Sequence, residues 1–233
     1  MGLRAVIADN RISVISACDG AVVPIDYAHI ENLADAVVAD FSAFSNLAGY
    51  YLADEPSDTD TNYMQVLGRL VARLRLRDPA RFAWINLLPF GYSPIVDEGR
   101  YQAYLENILN IVGVDLVTFD HYPTDWSVDD TSPNYTTNLR LVRDACAAHA
   151  KPFWSIMSAF PAVPKRRESI SKQQLRWQVT EALRYGASGI VYYTYWTPPC
   201  REFDGTPAIV DRDGNTTAQY DVVNQLNPKT SVI

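Results

Sequence analysis

Short apolar runs recur along the chain at similar intervals. Each is mostly aliphatic or aromatic and lacks strict alternation with polar residues, which is typical of strands buried on both faces of a parallel sheet. They cover residues 3–8, 47–53, 82–88, 114–119, 152–157 and 189–195. The pattern therefore predicts six β-strands.

A helical pattern follows each apolar run. Between residues 25 and 44, apolar side chains recur at spacings of three and four, as on the buried stripe of an amphipathic helix. Similar patterns cover roughly residues 63–74, 100–112, 136–150, 171–185 and 216–226. Each strand is therefore expected to lead into a helix.

The alternation of strands and helices narrows the fold to two architectures. The runs begin at residues 3, 47, 82, 114, 152 and 189, so each unit takes 32 to 44 residues, as in the βα repeats of a parallel sheet. An open sheet that binds nucleotides would carry GxGxxG or GxxxxGK[ST] after a strand, and neither follows any strand here. The residues after the strands are rich in Asp, Glu, Asn, His, Tyr and Trp, as at the C-terminal face of a barrel enzyme.

We therefore predict an α/β fold of the (β/α)8 TIM-barrel type, as a single partial domain over residues 1–233. Six of the eight units are visible, and the first strand begins abruptly at residue 3, so we expect the natural domain to start further upstream. The outer edge of the first strand would then be unpaired. Such an edge tends to recruit another strand, so self-association is an expected interaction.

The charge balance limits the partners. The chain has 20 Lys and Arg residues against 27 Asp and Glu, for a net charge of −7, and its basic cluster is Lys165-Arg166-Arg167. This balance argues against binding of nucleic acid or of an anionic membrane. Aromatic residues make up 12% of the chain, which favours a carbohydrate partner because sugar rings stack on aromatic faces.

No cofactor and no metal are expected. Cys18, Cys146 and Cys200 form no CxxC or Cys/His cluster, and no strand end carries His-x-His. No GxSxG elbow follows a strand, which argues against a serine hydrolase. No apolar run has transmembrane length.

Polar and aromatic side chains follow all of the predicted strands. A lone Asp after a strand is more often a helix cap or a solvated residue, but strand ends in register would project their side chains into one barrel mouth. The candidate substrate-binding residues are Asp9, Asn10, Asn86, His121, Tyr122, Trp126, Ser158, Tyr195 and Trp196.

Two carboxylates are the catalytic candidates. Glu55 ends the second predicted strand and precedes Pro56, which fixes the chain as it leaves the strand. A carboxylic acid among aromatic side chains at a barrel mouth is kept protonated by desolvation, as a general acid requires. In a regular strand Asp54 points to the other face and would orient or support Glu55. Asp120, two strands later, is the natural second carboxylate. By strand spacing, its carboxyl group would lie on the order of 6–10 Å from that of Glu55.

The order of several motifs resembles a known family. The motifs are GYYLADEPS, DPARFAWINLLP, VTFDHYP, KPFWSIM, GIVYYTYWTPP and AIVDRDGNTTAQYDVVNQLN. Together they resemble bacterial (β/α)8-barrel glycoside hydrolases, similar to clan A glycosidases and β-galactosidase-like proteins, over nearly the whole chain. The resemblance implies that residues 3–8 form strand three, that Glu55 is the acid/base at the end of strand four, and that Trp196 lies under the sugar after strand eight. Asp54 departs from the Asn that usually precedes this Glu.

The larger departure is at strand seven, where clan A places a nucleophilic Glu. Residues 152–158 contain no carboxylate, and the next Glu is Glu168. The leading hypothesis is therefore a glycoside hydrolase of oligo- or polysaccharides, with Glu55 as general acid and Asp120 as base or nucleophile. The alternative is a non-catalytic carbohydrate-binding barrel that lost the strand-seven nucleophile. Export to the periplasm or medium is favoured if the full-length protein carries a signal peptide.

Overall fold

The computed structural model describes residues 3–13, 26–57, 60–92, 95–123, 133–159, 170–199 and 207–227. Within these ranges strands alternate with helices along the chain. The elements are β1 (Ala5–Ala8), α1 (Tyr27–Phe41), β2 (Leu47–Asp54), α2 (Thr61–Arg77), β3 (Phe82–Leu87), α3 (Glu98–Asn107) with a π-helical turn (Ile108–Val112), β4 (Val117–Asp120), α4 (Pro133–Ala148), β5 (Phe153–Ser158), α5 (Lys172–Arg184), β6 (Gly189–Tyr193) and α6 (Ala218–Leu226).

The strands follow one another in the sheet in chain order, from β1 to β6. The defined pairings of β1 with β2, β2 with β3, β3 with β4 and β5 with β6 are all parallel. The predicted α/β fold and all six predicted strand-helix units are thus confirmed for the described residues. The chain divides into two compact units: unit one comprises residues 1–119 and 144–153, and unit two comprises residues 120–143 and 154–233.

In unit one, aspartates define where the helices begin. The side chains of Asp26, Asp60 and Asp97 accept the backbone N–H groups of His29, Tyr63 and Arg100, at the first turns of α1, α2 and α3. These bonds satisfy amide donors that have no partner inside the helix. Beyond its cap, α2 buries Leu67, Leu70, Val71 and Leu74.

A buried polar cluster joins β2 to the loop between α2 and β3. The Tyr50 hydroxyl donates to Asp78 at 2.7 Å, and Arg81 contacts the same carboxylate at 3.4 Å. Arg81 also donates to the Leu47 carbonyl at 3.1 Å. Burial, with the nearby negative charge of Asp78, raises the pKa of Tyr50 well above its ordinary value. The cluster fixes the start of β2 against the start of β3.

In unit two, α5 begins with a reciprocal cap. Ser171 accepts from the Gln174 backbone N–H at 3.1 Å, and the Gln174 side chain accepts from the Ser171 N–H at 3.0 Å. The helix then buries Leu175, Val179 and Ala182. A smaller core forms around Ala159, Ile209 and Val210, on which Tyr192 and Val223 pack.

Close packing of α2 against the π-helical turn requires a glycine at position 68. A Cβ there would lie 2.5 Å from the Ile111 carbonyl oxygen. We expect Gly68→Ala to lower the melting temperature, because the forced backbone shift costs about 1–3 kcal/mol and exceeds the gain of about 1 kcal/mol from helix propensity. Gly99→Ala is the matched control, since its nearest neighbour is 3.4 Å away. Equal melting temperatures for the two variants in thermal denaturation would contradict this account of the packing.

Asp35 of α1 is bound by two arginines of α2. Arg73 donates at 2.6 Å to each carboxylate oxygen, and Arg77 donates at 3.0 and 2.7 Å. These hydrogen bonds hold the pKa of Asp35 well below its usual range.

The stability that the Asp35 carboxylate contributes should be present above about pH 4, its unfolded pKa, and lost as the pH falls through the depressed folded pKa. Asp35→Asn should therefore lower the melting temperature at pH 7, and the difference from wild type should shrink in acid. Glu181→Gln removes a pair with a single arginine, Arg184, whose side chain is 71% exposed, and should change the melting temperature less. A difference in melting temperature between the wild type and Asp35→Asn that stays constant down to pH 2 would contradict this prediction.

Candidate functional site

At the end of β1, Asp9 is bound by Arg11. Its carboxylate accepts from the Arg11 backbone N–H at 2.9 Å and from the guanidinium at 2.8 Å through each oxygen. These hydrogen bonds lower the pKa of Asp9 to about 2. Arg11 also pairs with Asp40 at 2.8 Å. Asp9 is thus ionised and neutralised locally, and Asn10 follows it, exposed in the turn.

Asp54 and Asn86 form a hydrogen-bonded pair at the ends of β2 and β3. They lie opposite each other in the parallel register, and the Asn86 amide donates to Asp54 at 2.8 Å. The register of β2 shifts between Tyr51 and Ala53, so the strand departs from regular alternation. The hydrogen bond shows that Asp54 shares the face of Asn86, which is buried with 7% exposure.

Glu55 follows this pair in an unusual backbone conformation. The residue is exposed, so the burial that was expected around its carboxyl group is not found. Its φ of 46° lies in the left-handed region, which is uncommon for a residue other than glycine. The Glu55 N–H donates to the Asn86 carbonyl at 2.8 Å, so pairing with β3 continues past the end of β2. Strained residues of this kind cost about 1–3 kcal/mol and cluster at functional sites, where the surrounding structure holds them.

Tyr63 lies near the same corner of unit one. Burial of its hydroxyl, together with the negative charges of Asp60 and Asp54, raises its pKa to about 12. The phenol therefore stays protonated and can donate a hydrogen bond at neutral pH. Sequence analysis did not single out Tyr63, because its helical spacing explains it fully as a core-facing residue of α2.

In unit two, Asp120 and His121 end β4 with both side chains buried, at 8% and 2% exposure. His121 Nδ1 lies 2.9 Å from the Asn138 Oδ1. The centroids of the His121 and Tyr135 rings are 5.4 Å apart, and the two rings are nearly perpendicular. Asn138 and Tyr135 both belong to α4. His121 is thus held against the helix layer, which favours a supporting role over a sugar contact, and its predicted sugar contact stays a prediction.

The same buried layer continues to β5 and α5. The Tyr135 hydroxyl donates to the Gln178 carbonyl at 3.2 Å and lies 3.4 Å from the Ser155 hydroxyl. Burial raises the pKa of Tyr135 well above its usual value, so it remains a neutral donor. Asn138 and Tyr135 were missed by sequence analysis because their distance along the chain from His121 gives no signal of contact.

Two tyrosines stack near the end of β5. The rings of Tyr122 and Tyr193 are 5.6 Å apart and inclined by 14°. Ser158 pairs in register with Tyr193 and is buried, with 1% exposure, and the next residue, Ala159, is fully buried. The end of β5 is therefore a packed position among the described residues.

Tyr195 and Trp196, after β6, present large aromatic surfaces to solvent, with 61% and 46% exposure. Exposed aromatic side chains are suited to stacking on the apolar face of a sugar. Trp126, the other predicted platform, lies outside the described residues, as do Glu168 and the basic cluster at 165–167.

Among the described residues, no group of three or more His, Cys, Asp or Glu side chains is arranged to hold a metal ion. None of the helices in the described ranges is long and apolar enough to cross a membrane. Neither observation changes the chemistry available to the site, which consists of carboxylates, amides and aromatic rings.

The sequence matches no protein-family model, and no curated protein is similar enough to count as a relative. Solved structures do match the fold. A protein described provisionally as an α-L-fucosidase from Bacteroides thetaiotaomicron superposes with a TM-score of 0.62 at 11% identity, over 86% of this chain and 60% of its own. β-Galactosidase from Marinomonas ef1 gives 0.58 at 9% identity, over 86% of this chain and 42% of its own.

A third similar structure is β-D-glucuronidase from Dictyoglomus thermophilum, with a TM-score of 0.55 at 11% identity, over 87% of this chain and 35% of its own. Identities this low establish a shared fold and nothing finer. The chain therefore has a glycosidase-like α/β fold, and it spans 60% of the length of the first of these structures and less than half of the other two.

The contact between His121 and Asn138 can be tested by its effect on stability. Asn138→Leu removes the acceptor and leaves a buried imidazole nitrogen unsatisfied, which costs about 1–3 kcal/mol. We expect denaturant unfolding to show that loss, while Asn138→Leu in a His121→Phe background, which has no imidazole nitrogen to leave unsatisfied, loses less. Equal losses in the two backgrounds would show that the hydrogen bond contributes little.

Proposed function

We propose that this protein is a glycoside hydrolase that acts on an oligo- or polysaccharide. The observation that carries the proposal is Glu55, a carboxylic acid held in a left-handed conformation at the end of β2. Beside it, Asp54, Asn86 and Tyr63 supply acceptors and donors of the kind that sugar hydroxyls bind. The glycosidase-like fold supports the proposal, although a fold by itself does not establish a function.

In the proposed reaction, Glu55 is the general acid. It protonates the glycosidic oxygen as the bond to the anomeric carbon breaks. Asp120 is the second carboxylate, acting either as a base that activates water or as a nucleophile that forms a glycosyl-enzyme. Its position at the C-terminal end of a parallel strand supports this role.

The remaining candidates would hold the sugar. Asn86 would orient Asp54 through the amide hydrogen bond, and Tyr122 would contribute its hydroxyl and ring edge. Tyr195 and Trp196 would stack on the apolar face of a sugar ring. Asp9, Asn10 and Ser158 are weaker candidates, because Asp9 is bound by Arg11 and Ser158 is buried.

A carbohydrate-binding protein without catalysis is the second candidate function. The absence of a carboxylate from β5 supports it, because the resembling clan A glycosidases carry their nucleophile at the end of the corresponding strand. The two candidates differ in a simple measurement: a binding protein retains oligosaccharides in calorimetry without hydrolysing them.

Replacement of Glu55 by Gln tests the general acid. Gln keeps the shape but removes the proton, so hydrolysis of glycosides with poor leaving groups should fall about 10²–10⁴-fold. Aryl glycosides with acidic leaving groups need less protonation and should be hydrolysed with a smaller loss. Rates on both substrate types would be compared by product release.

Glu106→Gln is the matched control, since Glu106 lies on α3 and contacts His149 and Asn110. It should keep the wild-type rate. Hydrolysis of poor leaving groups by the Glu55 variant at the wild-type rate would rule out Glu55 as the acid. A wild-type protein that binds oligosaccharides but hydrolyses neither substrate type would favour the binding function.

A further inference from the structure

The segment that carries Tyr195 and Trp196 is held by backbone hydrogen bonds to a second segment around Val210. The Val210 N–H donates to the Tyr195 carbonyl at 2.7 Å, and the Thr197 N–H donates to the Val210 carbonyl at 3.0 Å. Trp196 pairs with Val210 as a short parallel bridge. The exposed rings of Tyr195 and Trp196 thus belong to a backbone segment that is hydrogen-bonded to a second segment of unit two.

The Thr197 side chain adds hydrogen bonds between the same two segments. Its hydroxyl donates to the Val210 carbonyl at 2.7 Å and accepts from the Ala208 N–H at 2.9 Å. The residue is 3% exposed, so these bonds are shielded from water. A buried hydroxyl that bonds two backbone groups of the facing segment fixes the separation of the two segments.

The facing segment is itself anchored. Ile209 and Val210 are buried with Ala159, and Tyr192 of β6 and Val223 of α6 pack against them. Thr217, at the start of α6, also donates to the Ala208 carbonyl at 2.7 Å. The chain of contacts therefore runs from the small core of unit two through Thr197 to the exposed aromatic pair.

We propose that Thr197 is a positioning residue that holds Tyr195 and Trp196 as a preformed stacking surface for a neutral oligosaccharide. The inference rests on the proposed carbohydrate function. A surface that is ordered before binding loses less conformational entropy on binding, so the ligand binds with higher affinity. Thr197 touches no sugar in this proposal and acts only through the segment it braces.

The test replaces Thr197 with Val, which keeps the shape but removes the hydroxyl, and with Ser, which keeps the hydroxyl. Protein labelled with 5-fluorotryptophan gives one ¹⁹F signal per Trp, and Trp196→Phe assigns the signal of Trp196. Thr197→Val should shift or broaden that signal, and Thr197→Ser should leave it close to wild type. Affinity for cellohexaose, xylohexaose and mannohexaose would be measured by calorimetry on the same proteins.

For the hexasaccharide that the wild type binds best, Thr197→Val should weaken binding about tenfold, the loss expected when two aromatic side chains must be ordered on binding. Thr197→Ser should stay within about twofold of wild type, because Ser keeps the hydroxyl that orders the segment. Thr118→Val is the matched control, because it removes a buried hydroxyl that donates to the Ile85 carbonyl at 2.7 Å within unit one. It should lower stability without moving the Trp196 signal.

An unchanged Trp196 signal in Thr197→Val would overturn the positioning role, whatever the protein binds. A changed signal with wild-type affinity would overturn the stacking surface. If the wild type binds none of the three hexasaccharides while the signal still changes, the carbohydrate function fails and the positioning role of Thr197 stands.

Discussion

The pairing of β2 with β3 determines where the chemistry of unit one is assembled. Two residues far apart in the chain, Asp54 and Asn86, meet because the parallel register places them opposite each other. Asp54 accepts a hydrogen bond from the Asn86 amide, and the Glu55 N–H continues the ladder by one bond to the Asn86 carbonyl. Glu55 therefore has its left-handed backbone held by the sheet itself, and a flexible loop could not impose the same conformation.

Unit two uses buried polar contacts to a different end. His121 and Tyr135 are fixed between β4, β5 and α4, α5 by hydrogen bonds that water cannot reach. Such contacts cost heavily when one partner is lost, because the other partner stays desolvated. They therefore specify one arrangement of the helix layer. This arrangement also fixes the position of two stacked aromatic residues at the strand ends, Tyr122 and Tyr193.

The similarity to glycosidases extends over most of the chain but reaches only the level of the fold. Parallel sheets with alternating helices support many chemistries, since the residues at the strand ends change while the core keeps its pattern. The substrate and the reaction must therefore be read from those residues. Glu55 carries the proposed hydrolysis, and β5 ends in Ser158 where the clan A pattern has a carboxylate.

The sequence alone determined the order and type of the elements, because buried strands leave continuous apolar runs and amphipathic helices leave a periodic pattern, and both can be detected locally. It also located Glu55, which Pro56 and the preceding apolar run mark as the end of a strand. Only the tertiary structure decided which side chains meet. The parallel register placed Asp54 opposite Asn86, and α4 brought Asn138 to His121. Likewise, Thr197 became significant only through its bonds to Ala208 and Val210. Contacts between residues distant in the chain depend on strand register and helix packing, which no local pattern encodes.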